Sequence, residues 1–373
     1  MSLQPLKTPE SVDIALTGRC NLRCKYCFYA DEMVGLSDLP TETWLDFFGE
    51  LRDLSIMRVV LTGGEVFTRP DLFELIDGVI QNRMRYQLLT NATLITEKVL
   101  EKFEVGKRRL RLDGIQVSID GSRAEIHDKS RPKSFDRAIR GLRLLKEAGF
   151  PVNVRVTINQ YNLDDLENIA RLLIDDIGLP GFGTNDAMPV GSGCHFSDEI
   201  CLTHNQQIIA MDSIKKLMEL YPGRLHASAG PQANIKMYAS MEEARRQGKP
   251  TEWWMGHLTA CGTVFNNISV LHDGTIVPCH MLSDLALGNI TADSLSDVWY
   301  NHPTLIAMRE RRNIPMSQVA GCEHCEWNRY CNGSCPGLAY QLTGDFNRAD
   351  PKSCYRNFLA ASQMTGVHNG PHR

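Results

Sequence analysis

A chain of 373 residues, 43% of them hydrophobic, is long enough to bury one large α/β core and a smaller second one, so disorder is not its default state. Its net charge of −4 gives no basic footprint for nucleic acid or an anionic membrane surface, and it has neither a signal-peptide-like start nor an apolar run that would span a bilayer. The composition predicts a cytoplasmic protein with no nucleic-acid or membrane partner, whose twelve cysteines act as metal ligands rather than disulfides in a reducing compartment.

Residues 1–11 are a short polar lead, and 12–16 read as a strand. Directly after it stand Cys20, Cys24 and Cys27, in the run Cys-Asn-Leu-Arg-Cys-Lys-Tyr-Cys. Three thiolates do not close a tetrahedral zinc site. They hold a [4Fe–4S] cube by three corners and leave one iron open to a small molecule. A zinc knuckle completed from elsewhere, or three buried thiols, is the alternative on this stretch alone. Residues 41–53 read as a helix, with Trp44, Leu45, Phe48 and Leu51 at helical spacing. A second strand, 58–62, ends in Gly63, Gly64 and Glu65. A helix over 71–80 leads to a third strand, 86–90, followed by Asn91. A helix over 96–103 leads to a fourth strand, 115–119, whose end carries Ser118, Asp120 and Gly121. Ser134 caps a helix through 146 that Gly149 stops, and 152–158 is a fifth strand. Asn162 opens a helix through 174, and 181–189 holds a sixth strand.

Six strand–helix units predict a parallel α/β array, either a doubly wound sheet or a barrel. Such arrays bind ligands at the C-terminal ends of their strands. The cysteine loop, the 63–65 turn, Asn91 and the 118–120 turn all fall at those ends, which argues for one site. For any one of them alone, an ordinary turn is the simpler reading. The glycine pair lets backbone approach a ligand, with Glu65 and the carbonyls suited to an ammonium group. Ser118 and Asp120 alternate on a strand end and suit ribose hydroxyls, as does Asn91. Arg131 and Arg155 suit a carboxylate, against the alternative of a surface charge or a cap.

Residues 203–220 predict a further amphipathic helix. The polar stretch 221–258, with Trp253, Trp254 and Met255 inside it, reads as a bridge. From Cys261 onward cysteines become dense and the alternation stops. Residues 268–271 and 275–277 form a hairpin around Asp273 and Gly274. A short helix follows over 295–301, then a compact ligand loop over 322–335, and 367–373 read as a frayed tail.

The loop Cys20-x3-Cys24-x-Tyr26-Cys27, with Gly63, Gly64 and Glu65 behind it, resembles the radical S-adenosylmethionine (SAM) enzymes. The resemblance implies a partial (β/α)6 barrel. It also implies an open iron that binds the amino and carboxylate groups of SAM, and a 5′-deoxyadenosyl radical that takes hydrogen from a substrate. It places Tyr26 in the cluster loop, the 63–65 turn at the methionine amino group, and Ser118 and Asp120 at the ribose. Arg155 falls where several members hold a carboxylate. The C-terminal part is similar to the SPASM subgroup, with Cys261, Gly274, Cys279, Cys322-x2-Cys325-x5-Cys331-x3-Cys335 and Cys354 in its pattern. A zinc-ribbon-like domain is the alternative for these cysteines. The likeness runs from residue 12 to 358. It implies a lead (1–11), a barrel (12–202), a helical bridge (203–260), an auxiliary-cluster domain (261–358) and a tail (359–373).

Three [4Fe–4S] clusters and SAM are therefore the expected cofactors. By resemblance, Cys322, Cys325, Cys331 and Cys354 hold the outer auxiliary cluster, and Cys261, Cys279 and Cys335 the inner one, which lacks a fourth cysteine. Cys194 and Cys201 lie outside the pattern, and either is a conceivable fourth ligand. The subgroup mostly modifies peptides or proteins, so the expected substrate is a ribosomally made peptide that gains a crosslink, a thioether or an oxidation. Formylglycine formation by anaerobic sulfatase maturases and oxidation of a tetrapyrrole side chain are the alternatives. Sulfatase maturases carry an aspartate where this chain has His280, which is then the candidate proton acceptor. Flavodoxin or ferredoxin is the expected electron donor. With eleven residues before the first strand, a separate leader-binding protein is expected rather than a fused leader-binding module.

Overall fold

Ten strands share one sheet in the order β10-β9-β8-β1-β2-β3-β4-β5-β6-β7. The computed structural model describes residues 5–33, 38–227 and 229–364. Strands Ser11–Thr17 (β1), Arg58–Gly63 (β2), Arg85–Thr90 (β3), Leu112–Ser118 (β4), Val152–Ile158 (β5) and Phe182–Asp186 (β6) lie side by side in sequence order, all parallel. Leu225–His226 (β7) continues parallel to β6. The two ends of the sheet do not pair with each other, so the barrel stays partial.

Alternation along each strand decides the two faces. Val12, Ile14, Val59, Leu61, Tyr86, Leu88, Ile115, Val117, Val154 and Val156 are buried in the core that the crossover helices cover. The opposite face carries Asp13, Thr62, Gln87, Gln116, Ser118, Arg155 and Asn185, each partly exposed. A closed barrel fills this face with packed side chains. Here it stays polar and reachable.

The helix Thr41–Asp53 matches its expected span, burying Trp44, Phe48 and Leu51. Beyond Asn162 the expected helix is broken into a 3-10 turn (Leu163–Asp165), an α segment (Leu166–Ala170) and a π segment (Arg171–Asp176). The stretch read as a bridge contains β7 and a helix, Pro231–Arg246, with proline in its first turn. Its polar composition reflects an exposed face rather than a linker. Helices Ala124–Ser130, Pro303–Glu310, Pro336–Thr343 and Tyr355–Met364 also escaped the sequence reading. Residues 367–373 lie outside the described residues.

The hairpin beyond Cys261 does not stand apart from the barrel. Asn267–Val270 (β8) pairs parallel with β1, Ile14 opposite Val270, and Thr275–Val277 (β9) and Gly288–Asn289 (β10) extend that edge antiparallel. The cysteine-rich segment is thereby registered to the strand that feeds the Cys20 loop.

The helix His204–Leu220 opens with a capping box: the Thr203 hydroxyl accepts from Gln206 N at 3.3 Å, and Gln206 Oε1 accepts from Thr203 N at 2.9 Å. Thr203→Ala is expected to destabilise the protein by about 1 kcal/mol, and Thr203→Ser to leave it unchanged. The midpoint of urea unfolding, followed by circular dichroism under anaerobic conditions, measures both.

Candidate active site

The cysteine loop is built on the end of β1. Asp38 accepts from the Thr17 hydroxyl (2.7 Å) and from Gly18 N (2.8 Å), which fixes the turn out of the strand. The backbone after β2 then lies directly on this loop: Gly64 N donates to Thr17 O and Glu65 N to Arg19 O, both at 2.8 Å. A Cβ on Gly63 would stand 2.3 Å from Thr17 O, and one on Gly64 2.2 Å from Arg19 O. The sequence assigns these glycines to a ligand; the structure shows that their first partner is the cysteine loop itself.

Glu65 is buried, and its carboxylate accepts from Thr90 Oγ1 (2.7 Å), Asn91 N (2.7 Å) and Phe67 N (3.3 Å). Burial raises its pKa while these bonds pull it down. Asn91 in turn donates to Asn21 Oδ1 at 3.0 Å, and its own Oδ1 accepts from Thr93 N and Thr93 Oγ1. Glu65 and Asn91 therefore join three strand ends to the loop. Asn21 and Thr93 were not singled out from the sequence. The Asn-x-Thr turn after β3 was the available signal, since an Asx side chain commonly bonds the backbone two residues on.

Asp120 and Arg131 meet in a buried ion pair, Nε to Oδ2 at 2.5 Å, with side chains 0% and 11% exposed. Tyr26 Oη donates to the same carboxylate oxygen, and Thr157 N donates to Oδ1 at 2.7 Å. Arg131 also stacks over the Tyr26 ring, 5.2 Å from its centroid, and reaches Cys24 Sγ at 3.8 Å. Asp120 N donates to His127 Nδ1, and burial pushes that imidazole down to about 4, so it is neutral. Arg131 thus spends its charge on Asp120. Arg155 does not: it sits opposite Ser118 in the β4–β5 register and donates only to neutral oxygens, Thr184 O (3.2 Å) and Gln116 Oε1 (3.4 Å). Desolvation lowers its pKa, and it remains a cation on the open face.

The remaining cysteines form two groups. Cys335 and Cys261 both stand close enough to act on Cys279, and Cys322, Cys325, Cys331 and Cys354 line one cavity with Trp327 and Tyr355. Burial pushes Cys20 up to about 11 and Cys27, Cys279 and Cys331 up to about 12. Thiolates in such surroundings require a bound cation. Backbone N–H groups already aim at the sulfurs: Leu22 at Cys20, Met281 at Cys279, Gly333 at Cys331, Leu338 at Cys335. Among the described residues, no three Cys, His, Asp or Glu side chains converge on a single ion. Mononuclear zinc needs that convergence. All-sulfur donor sets with backbone N–H groups aimed at the sulfurs suit iron–sulfur clusters.

Cys194 is exposed and donates to Pro189 O at 2.9 Å; Cys201 packs with Ala187, Ile200, Tyr26 and Tyr161. His280 is half-buried, edge-on to Tyr29 at 6.1 Å, hydrogen-bonded to the Val270 backbone, and its Nε2 is buried with no partner among the described residues.

The radical SAM superfamily model matches residues 14–173, and a model described as an iron–sulfur cluster-binding domain, SPASM, matches 261–326. An AdoMet-dependent heme synthase from Methanosarcina barkeri is 30% identical over 361 residues, covering 93% of this chain and 97% of its own. The chain belongs to the radical SAM superfamily. A PqqA peptide cyclase from Ruegeria pomeroyi is 25% identical over 92% of this chain and 86% of its own. Among solved structures, SuiB of Streptococcus suis bound to its precursor peptide SuiA superposes with a TM-score of 0.72, at 16% identity, over 94% of this chain and 76% of its own. The AdoMet-bound anSMEcpe gives 0.66 at 18% identity, over 97% of this chain and 99% of its own. These likenesses show a shared fold.

In this radical SAM protein, removing Arg131 leaves the buried Asp120 charge unpaired. Arg131→Met is expected to cost about 3–5 kcal/mol, and adding Asp120→Asn to restore part of that loss. Chemical denaturation of the single and double variants measures the coupling.

Proposed function

We propose that Cys20, Cys24 and Cys27 hold a [4Fe–4S] cluster with one open iron, and that the protein abstracts a hydrogen atom from a peptide. Bound there with SAM, the cluster would supply the electron that releases a 5′-deoxyadenosyl radical. The carbonyls of the 63–65 turn and Glu65 orient the methionine amino group. Arg155, the half-buried cation bonded only to neutral acceptors, takes the methionine carboxylate. The ribose falls to Ser118, beside Arg155 in register. Asp120, saturated by Arg131, Tyr26 and Thr157, holds the loop rather than touching the nucleoside.

The observation that carries the peptide reading is the full set of seven C-terminal cysteines, gathered in two groups. In the subgroup that the sequence resembles, this complement accompanies peptide modification, and similarity to PqqA peptide cyclases over most of the chain supports it. Three [4Fe–4S] clusters, an electron donor such as flavodoxin or ferredoxin and a separate leader-binding protein complete the proposal, with a non-cysteine fourth ligand at the inner cluster. A second reading rests on the 30% identity to a heme synthase: a tetrapyrrole side chain as substrate, an oxidation that needs no leader peptide.

Anaerobic assays decide between them. With dithionite and SAM, the wild-type protein is expected to release 5′-deoxyadenosine, and Cys20→Ala/Cys24→Ala/Cys27→Ala to release none; continued cleavage in the triple variant would remove these cysteines from the proposal. Release stimulated by a precursor peptide, and not by a carboxylate-bearing porphyrin, supports the peptide reading, and the reverse supports the tetrapyrrole. With His280→Ala, 5′-deoxyadenosine is expected to persist while product falls; equal product yield would take His280 out of the reaction.

A further inference from the structure

Arg311 is fully buried, at 0% exposure, in the turn Arg311–Asn313. Its guanidinium donates from Nε to Phe346 O, from Nη1 to Thr259 O and from Nη2 to Arg348 O, the last at 2.8 Å. All three acceptors are neutral carbonyls. Burying a cation among neutral dipoles is unfavourable unless an anion stands close by. Asp345 is exposed and turned to Asn347 N, and Asp350 accepts from Lys352 N. Both carboxylates act on Arg311, the buried Asp350 among them, but Cys335 and Cys261 act on it more strongly.

The hydrogen bonds lead to the same place. Thr259 stands two residues before Cys261, and its hydroxyl accepts from Cys261 N at 3.4 Å. Thr259 N donates to Asn332 O at 2.7 Å, on the segment between Cys331 and Cys335. Phe346 and Arg348 lie in the loop that joins the helix Pro336–Thr343, which Cys335 caps, to Cys354. One side chain therefore fastens the backbone leading into Cys261 to the loop between the helix capped by Cys335 and Cys354.

We propose that Arg311 is the buried counter-cation of the group held by Cys261, Cys279 and Cys335, and that it positions Cys261 through the Thr259 carbonyl. The inference rests on the reading that these cysteines hold an iron–sulfur cluster. Arg311 is a positioning residue: it touches neither SAM nor substrate. A cation beside a cluster favours the reduced, more negative form, so its loss lowers that cluster's reduction potential and weakens its retention.

The test uses the full-length protein, anaerobically reconstituted, with iron and sulfide analysis and a potentiometric titration followed by electron paramagnetic resonance. In Arg311→Met, the signal lost in Cys261→Ala/Cys335→Ala is expected to move to lower potential or to disappear, while the other cluster signals keep their potentials. Arg311→Lys, which keeps the charge, is expected to retain that iron. Unchanged iron content and potentials in Arg311→Met, with the double cysteine variant losing iron, overturn the Arg311 role and leave the cluster reading intact. Full iron content in the double cysteine variant overturns the cluster reading itself. If Arg311→Met does not accumulate, Arg311→Lys decides: a folded Lys variant that has lost the inner iron shows that the carbonyl cage, and not the charge, is what matters.

Discussion

Two hydrogen bonds, Gly64 N to Thr17 O and Glu65 N to Arg19 O, carry the β1–β2 pairing past the edge of the sheet and into the cysteine loop. The loop is thus seated by the same backbone register that builds the barrel. Side chains larger than hydrogen at 63 and 64 would collide with the carbonyls that make those bonds. Glu65 then turns inward and collects donors from β3, and Asn91 returns a bond to Asn21 within the loop. Three strand ends close on one short segment, which is the preorganisation that a three-thiolate site requires.

Charge follows the same centre. Burial disfavours the thiolate form at Cys20, Cys27, Cys279 and Cys331 alike, so each group needs cations within a few ångströms to hold its ligands ionised. The chain answers with buried arginines as well as with metal-binding capacity. Arg131 stands between Asp120 and Cys24, and Arg311 between the Cys261 and Cys335 segments. Arg155 differs because its acceptors among the described residues are neutral and its face of the sheet is open.

The sheet links these centres mechanically. β8 lies against β1, so the hairpin that precedes Cys279 shares a hydrogen-bonded edge with the strand that precedes Cys20. Ala15, Tyr29, Leu271 and Val277 pack together across that seam, with Cys27 against them, and the Tyr29 hydroxyl meets His272 Nδ1 at 2.8 Å. The C-terminal segment and the first cysteine loop are thus joined by strand pairing and by packed side chains.

The sequence by itself determined the strand and helix periods, the six crossovers and the spacing of every cysteine. Those features are local: a period of two or 3.6 and a count of intervening residues survive in one dimension. The division of the seven C-terminal cysteines into two sets came from the resemblance to a recurrent pattern, not from a local period. Only the tertiary structure decided that Glu65 faces Thr90 and Asn91, that Arg131 belongs to Asp120 while Arg155 stays open, and that residues 267–270 pair with 11–14. Each of these joins positions tens or hundreds of residues apart. Two arginines of equal chemistry are indistinguishable in a sequence; the fold decides that Arg131 meets a buried carboxylate and Arg155 meets neutral oxygens.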